Sequence, residues 1–464
     1  MRLGPDSTLP ENVAQPGYDR RAQRTGIVHF GIGAFHRAHQ AVYTDDAMNA
    51  GDRDWGVTGV SLRSAEVAGQ MNPQDGIYTV TERAAAGDKL RLIGAVQKVI
   101  AAATNQNTVA AAIASADTHI VSFTITEKGY GRAADGSLDG QFANDRSVYA
   151  YLAAGLQARR QAHLPGLTLL SCDNLANNGS QLRRLMREYL NQHAPELTGW
   201  FEAECTCPSA MVDRIVPATT QADRDAVAGI LGVRDEAAVF TEPFSQWVIE
   251  DRFAGPRPRW QVGGATFVSD VQPYEVAKLR MLNGAHSALA YVGLARGYEF
   301  VHQAMADSEL ASFIGRLMRD EAATSFEAAA GQDLGAYADA LFARFRNPAI
   351  NHRLIQIAMD GSQKIPQRWL ETLRDQQKRG KQCPALIEAL SAWMMHVRGD
   401  SHVVDDPMRD VLKARWQEAG NAGISQALFG NDGLFSQYWQ AAGADVAMID
   451  THLGISQLPR TGKA

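Results

Sequence analysis

The segment Gly26-Ile27-Val28-His29-Phe30-Gly31-Ile32-Gly33-Ala34-Phe35-His36-Arg37 constrains the fold of this chain more than any other. A short β-branched run that ends on Gly-x-Gly and passes straight into a helical stretch, here residues 34–50, reads as the strand, tight turn and helix of a dinucleotide-binding unit. Gly31 lets the chain turn sharply. Gly33 lets backbone approach a pyrophosphate at the helix N-terminus, and Ile32, Ala34 and Phe35 complete the stretch expected to face a cofactor. The third glycine of Gly-x-Gly-x-x-Gly is replaced by His36, so the motif alone also fits a glycine-rich bend with no ligand. Arg37, in the first helical turn, reads either as a phosphate partner or as an ordinary exposed arginine.

The rest of the chain extends that beginning. Residues 55–62, 77–82 and 90–100 have strand character, and so do residues 119–126 and 167–172, with a helical pattern over residues 147–163 between them. The first half is therefore expected to be α/β with a mostly parallel sheet. From about residue 276 onward good helix formers dominate, and Asp270 to Pro273 is the last breaker before them. A Rossmann-type cofactor-binding domain over residues 1–270 and a mainly helical substrate and catalytic domain over residues 271–464 follow, which the length of 464 residues accommodates. A net charge of −6 leaves no basic surplus for nucleic acid. Cys172, Cys205, Cys207 and Cys383 form neither a disulfide framework nor a metal-ligand pattern. No apolar leader or membrane-length run is present, so a cytoplasmic protein acting on a small molecule, with no obligate protein partner implied, is expected.

At the end of the second strand, where an acid normally holds the ribose of NAD, stands Ser61-Leu62-Arg63-Ser64, and Glu66 comes late. NAD is the expected cofactor, with NADP left open by Arg63. The segment Tyr274-Glu275-Val276-Ala277-Lys278-Leu279-Arg280-Met281-Leu282-Asn283-Gly284-Ala285-His286 places a lysine, an amide and an imidazole on one helix. At about 100° per residue from Lys278, His286 falls near 80° and Asn283 near 140°, so all three can face one cleft. Hydride transfer to or from a secondary alcohol needs a base for the hydroxyl proton, and a lysine whose pKa falls to about 7 to 8 on burial suits that task. Asn283 can donate to a developing oxyanion. On spacing alone a surface lysine with a helix-packing Asn and His is the favoured reading. Tyr274-x-x-x-Lys278 also matches the short-chain dehydrogenase spacing, although its distance from the glycine turn opposes that reading. A non-catalytic dinucleotide sensor is the alternative from another class.

Taken together with Thr126-Glu127-Lys128-Gly129-Tyr130, Ser171-Cys172-Asp173-Asn174, Met211-Val212-Asp213-Arg214-Ile215 and Gln246-Trp247-Val248-Ile249-Glu250-Asp251, these segments resemble the polyol-specific long-chain dehydrogenase family almost end to end. The resemblance implies Lys278 as general acid/base, Asn174 and Asn283 as oxyanion donors, His286 and Asp213 as polar residues of the substrate site, and Glu127 near the cofactor. Asp213-Arg214 also reads as a structural ion pair. The segment from Asn347 to Arg368 is most similar to the fructuronate reductase subgroup, with Gln356 where mannitol dehydrogenases carry an arginine. Lys364 matches a substrate-contacting lysine, and Arg353 and Arg368 are candidate partners for a substrate carboxylate. The implied reaction is reduction of D-fructuronate to D-mannonate, with oxidation of mannitol or arabinitol as the alternative. Ser245, which stands where Pro-Phe-Arg-Gln-Trp would have its arginine, speaks against the acid.

Overall fold

The computed structural model describes residues 1–144 and 146–454. The chain divides between Gln272 and Pro273 into two compact units. The first contains eleven strands among its described residues, in chain order β1 (Thr25–Phe30), β2 (Gly56–Ser61), β3 (Tyr78–Glu82), β4 (Lys89–Ile93), β5 (Val96–Ala101), β6 (Ile120–Phe123), β7 (Thr168–Ser171), β8 (Ala210–Asp213), β9 (Val239–Thr241), β10 (Gln246–Glu250) and β11 (Thr266–Val268). Five of them form one wholly parallel sheet in the order β5-β2-β1-β6-β7. Strands β1, β2, β6 and β7 are buried on both faces, which is why they read as largely apolar runs and not as alternating ones. Chain order reverses direction between β1 and β6, so the carboxyl ends of these two strands flank the switch point where open α/β sheets hold ligands.

Two smaller mixed sheets complete this unit, β4-β3-β9 and β11-β10-β8. Residues 90–100, expected as one extended segment, instead serve two sheets, because the chain bends at Gly94. There the amide of Gly94 donates to Asp45 Oδ1 (2.9 Å) and its carbonyl accepts from Arg20 Nε (2.8 Å). The helical stretch over residues 34–50 is likewise broken at His39 into Ala34–Ala38 and Gln40–Asn49. The His39 ring lies edge-on to Trp247, with its Nε2 3.0 Å from the Gln246 carbonyl.

The second unit is helical. Its centre is Gly284–Ala295, in which every residue from Gly284 to Gly293 is buried, and a helix apolar on all sides belongs in the middle of a bundle. Helices Pro384–Arg398 and Leu354–Ile357 pack against it. Three stretches of this unit are π-helical: Lys278–Asn283, Leu317–Ala322 and Pro366–Leu370. π turns are rare and cluster at functional sites. Among the described residues no helix is long and apolar enough to cross a membrane.

Candidate active site

Gly31 follows β1 with φ +91°, and a Cβ added there would lie 2.0 Å from the Thr124 carbonyl oxygen. Only glycine fits this close approach of two strand ends. The Gly31 amide donates to Val60 (2.9 Å), and the Gly31 carbonyl accepts from the Thr124 hydroxyl (2.7 Å). Thr124 has a single hydroxyl proton, so His29 Nε2, 2.8 Å from the Thr124 oxygen, is the protonated nitrogen. His29 Nδ1 lies 2.8 Å from Ser122 Oγ, whose hydroxyl donates to Gln40 Oε1 (2.8 Å). Burial pushes the His29 pKa down to about 3, and His36, stacked on it at 3.5 Å, is also held neutral by burial.

Above this network the helix Ala34–Ala38 starts at Gly33 with no side-chain cap, and a Cβ at Gly33 would find only the Gly31 carbonyl, at 3.8 Å. Uncapped amides over open space are a donor set suited to a phosphate, so the residues present fit a dinucleotide. Ile32 is buried against the glycine face of β2 at Gly59, while Gly33 is exposed and Ala34 and Phe35 are half-buried. Arg37 corrects both sequence expectations. Its guanidinium is buried, donates to the Ala237 carbonyl and to Gly33 (3.3 Å), and lies over the Tyr78 ring, so it braces the turn and does not reach outward to a phosphate.

Arg63 is exposed just past β2, and Glu66 is occupied by Gln70 (3.3 Å). Glu127 is exposed and paired with Arg132 at 3.1 Å. The backbone beside it is strained: Thr126 has φ +65°. Asp173 holds that conformation by accepting from the amides of Ile125 (3.0 Å) and Thr126 (2.9 Å) and from the Tyr130 hydroxyl (2.8 Å). Burial raises the Asp173 pKa against those bonds. Asn174, exposed, follows at the carboxyl end of β7. Asp213 ends β8 opposite Gln246, and Arg214 binds Glu82 (2.5 Å) and the Ala38 carbonyl (2.6 Å). Ser245 Oγ is 2.9 Å from the Tyr43 hydroxyl.

In the second unit Lys278 opens the π stretch and Asn283 closes it. The Gly284 amide reaches the Leu279 carbonyl, an i→i−5 bond. Residues five apart stack in such a turn, so Lys278 and Asn283 come closer to one line than the 140° of a uniform α-helix allows. His286, one α-turn beyond Asn283, extends the same face. Its ring packs on Phe345 (4.6 Å between centroids) and edge-on to His352 (5.3 Å). Burial lowers the His286 pKa well below the usual range, and the charges of His352, Arg344 and Arg368 add to this, so the imidazole is neutral.

Arg368 donates from Nη1 to Ser287 Oγ (2.8 Å) and to the Asn283 carbonyl (3.3 Å). Burial pushes its pKa down to about 10, and among the described residues no carboxylate pairs with it. Lys364 is half-buried, donates to the Met359 carbonyl (2.5 Å), lies 3.8 Å from Asp360, and has its pKa lowered first by burial and then by Arg368. Arg353, expected with them, is instead half-exposed and bonded to Glu299 at 2.7 Å. Sequence reasoning missed Arg344 and His352. Arg344 is buried on the core face of Leu334–Phe345, in step with Ala338 and Leu341, and this periodicity was the available signal. It also missed Asp173, a carboxylate placed directly after the apolar run of β7.

A strand-switch crevice with an uncapped glycine turn, and a helix face carrying lysine, amide and neutral imidazole, define an oxidoreductase of the nicotinamide-dependent class. Family models agree: residues 25–262 match the mannitol dehydrogenase Rossmann domain and residues 270–452 the mannitol dehydrogenase C-terminal domain. The chain belongs to the mannitol dehydrogenase family. It is 41% identical over 428 residues to the uncharacterized oxidoreductase YeiQ of Escherichia coli, covering 88% of this chain and 87% of that one. It is 39% identical over 452 residues to the D-mannonate oxidoreductase of the same organism, covering 93% and 92%. The structure of Pseudomonas fluorescens mannitol 2-dehydrogenase, a ternary complex with NAD and D-mannitol, matches 98% of this chain and 96% of its own, at TM-score 0.79 and 33% identity.

Proposed function

We propose that this chain moves a hydride reversibly between NAD(H) and a hexuronate-derived sugar acid, D-fructuronate plus NADH and a proton giving D-mannonate plus NAD. The observation that carries the acid, over a neutral polyol, is Arg368: a guanidinium largely removed from water, bonded to neutral oxygens and matched by no described carboxylate. A part-buried cation without a charged partner is costly, and a substrate carboxylate would supply the missing charge through a bidentate bond. Lys364, coupled to Arg368, adds to the same field. The 39% identity to a D-mannonate oxidoreductase supports this assignment.

When bound, NAD(H) supplies the hydride acceptor or donor. The Gly31 turn and the uncapped amides after Gly33 hold its pyrophosphate. Lys278 takes the proton from the substrate hydroxyl during oxidation and returns it during reduction. The amide of Asn283 donates to the oxygen as it gains negative charge, a role the family resemblance also gives Asn174. Neutral His286 orients the sugar through one ring nitrogen, and Asp213 accepts from a sugar hydroxyl. Arg63, with no acid on the same strand end, leaves the adenosine side less selective than an acid would.

Oxidation of a polyol is the second reading, favoured by Ser245 in place of an arginine and by the likeness to a mannitol-bound relative. Initial rates of NADH formation on D-mannonate, D-mannitol and D-arabinitol separate the two. The acid reading expects D-mannonate to be oxidised fastest, and a faster rate on mannitol overturns it. Comparing turnover with NADH and NADPH tests the cofactor, for which a strong NADPH preference is the contrary result.

A further inference from the structure

Resting on the reading of Lys278 as the proton-transfer group, we infer that Trp369 is a positioning residue that locks the π register of the catalytic helix. The lysine and the amide share a face because five residues, not four, separate a carbonyl from its amide donor at this point. Such a register competes with the commoner α-helical one, so something outside the helix must favour it. Two neighbouring residues of another π stretch, Pro366–Leu370, do so. Trp369 Nε1 donates to the Gly284 carbonyl at 3.0 Å, and Arg368 Nη1 lies 3.3 Å from the Asn283 carbonyl.

Both acceptors sit where the π turn gives way to Gly284–Ala295. The indole is fully buried and close-packed there: a Cβ added to Gly284 would meet its Nε1 at 3.5 Å. The other side of the stretch is pinned by Arg280, which bonds Ser325 Oγ (2.9 Å) and Asp375 (2.6 Å). Sliding Lys278–Asn283 into α register would rotate Gly284 away from the indole and leave a buried N–H without an acceptor, a penalty larger than the bond itself is worth. Trp369 thus acts on catalysis through the relative placement of Lys278 and Asn283, without touching substrate.

Trp369→Phe removes the N–H while keeping a large aromatic ring. The expected result is a fall in kcat of about 10-fold or more, a displaced pH profile of kcat and an unchanged KM for NAD, because residues that act as a unit share their effect. In the Lys278→Ala background the same substitution should cost nothing further. An equal loss in both backgrounds, or a lowered melting temperature with kcat and its pH profile intact, overturns the inference. Should Trp369→Phe lose its cooperative melt, the same cycle with Arg280→Lys, which loosens the other anchor of the stretch, decides: a fall in kcat that vanishes in the Lys278→Ala background supports the locked register, and an equal loss in both backgrounds refutes it. Turnover that survives Lys278→Ala would defeat the functional reading, a result distinguishable from failure of the register claim.

Discussion

Around Gly31 the buried titratable rings of His29 and His36 are kept neutral by burial, and the buried cation Arg37 is turned inward to carbonyl oxygens. Around Lys278 the arrangement is the reverse: Arg368 and Lys364 keep positive charge at partly dehydrated positions, next to a neutral His286. On the proposed function, the first region presents backbone donors of fixed shape and the second presents charge. A pyrophosphate already carries its own negative charge and needs geometry, while a sugar has no charge except a carboxylate and must be told apart by it.

The sharpest break of this comparison is a pair of glycine substitutions. Gly31→Ala puts a methyl 2.0 Å from the Thr124 carbonyl at φ +91°, so NADH binding should fall beyond about 100-fold and the melting temperature should drop. Gly33→Ala meets nothing closer than 3.8 Å, so it should leave the melt unchanged and weaken NADH alone, as read by fluorescence titration. Equal melts for the two variants would contradict the account of Gly31.

Next in size, Arg368→Met should raise KM for D-mannonate by about 10- to 100-fold, the scale of a lost charge-assisted bond, and shift KM for D-mannitol much less. Parallel shifts on both substrates would remove the charge argument. The neutral rings give a smaller effect. Unfolded histidine titrates near 6.5, whereas His29 stays neutral to about 3, so acidification protonates the unfolded chain first. Stability from this group is full above 6.5 and declines as pH falls towards 3, by about 2 kcal/mol at pH 5. Urea unfolding at pH 7 and pH 5 should show a shallower decline for His29→Asn than for the parent chain. Least is expected of Arg353→Ala, whose ion pair with Glu299 is half-exposed: a change of at most about 1 kcal/mol and no effect on KM.

The strand, glycine turn and helix were legible because each is written in adjacent residues, and so was the grouping of Lys278, Asn283 and His286 on one continuous helix. What was not legible depends on partners far along the chain. Arg37 looks like a surface charge until the Ala237 carbonyl covers it, and Arg353 looks like a carboxylate ligand until Glu299 bonds it. The bend at Gly94 is fixed by Asp45 and Arg20, neither of them near it in sequence. The π turn is invisible in composition, since the same helix formers suit either register and the choice is made by Trp369 and Arg368. Arg344 could have been read from the period of its helix; only the habit of placing arginine outside argued against it.

The proposal that Lys278 transfers the proton has one direct measurement: kcat of Lys278→Ala on D-mannonate beside its NADH dissociation constant. The account predicts a loss of turnover of about 10²- to 10⁴-fold with NADH affinity within about twofold of the parent chain. Turnover within a few-fold of the parent would contradict it.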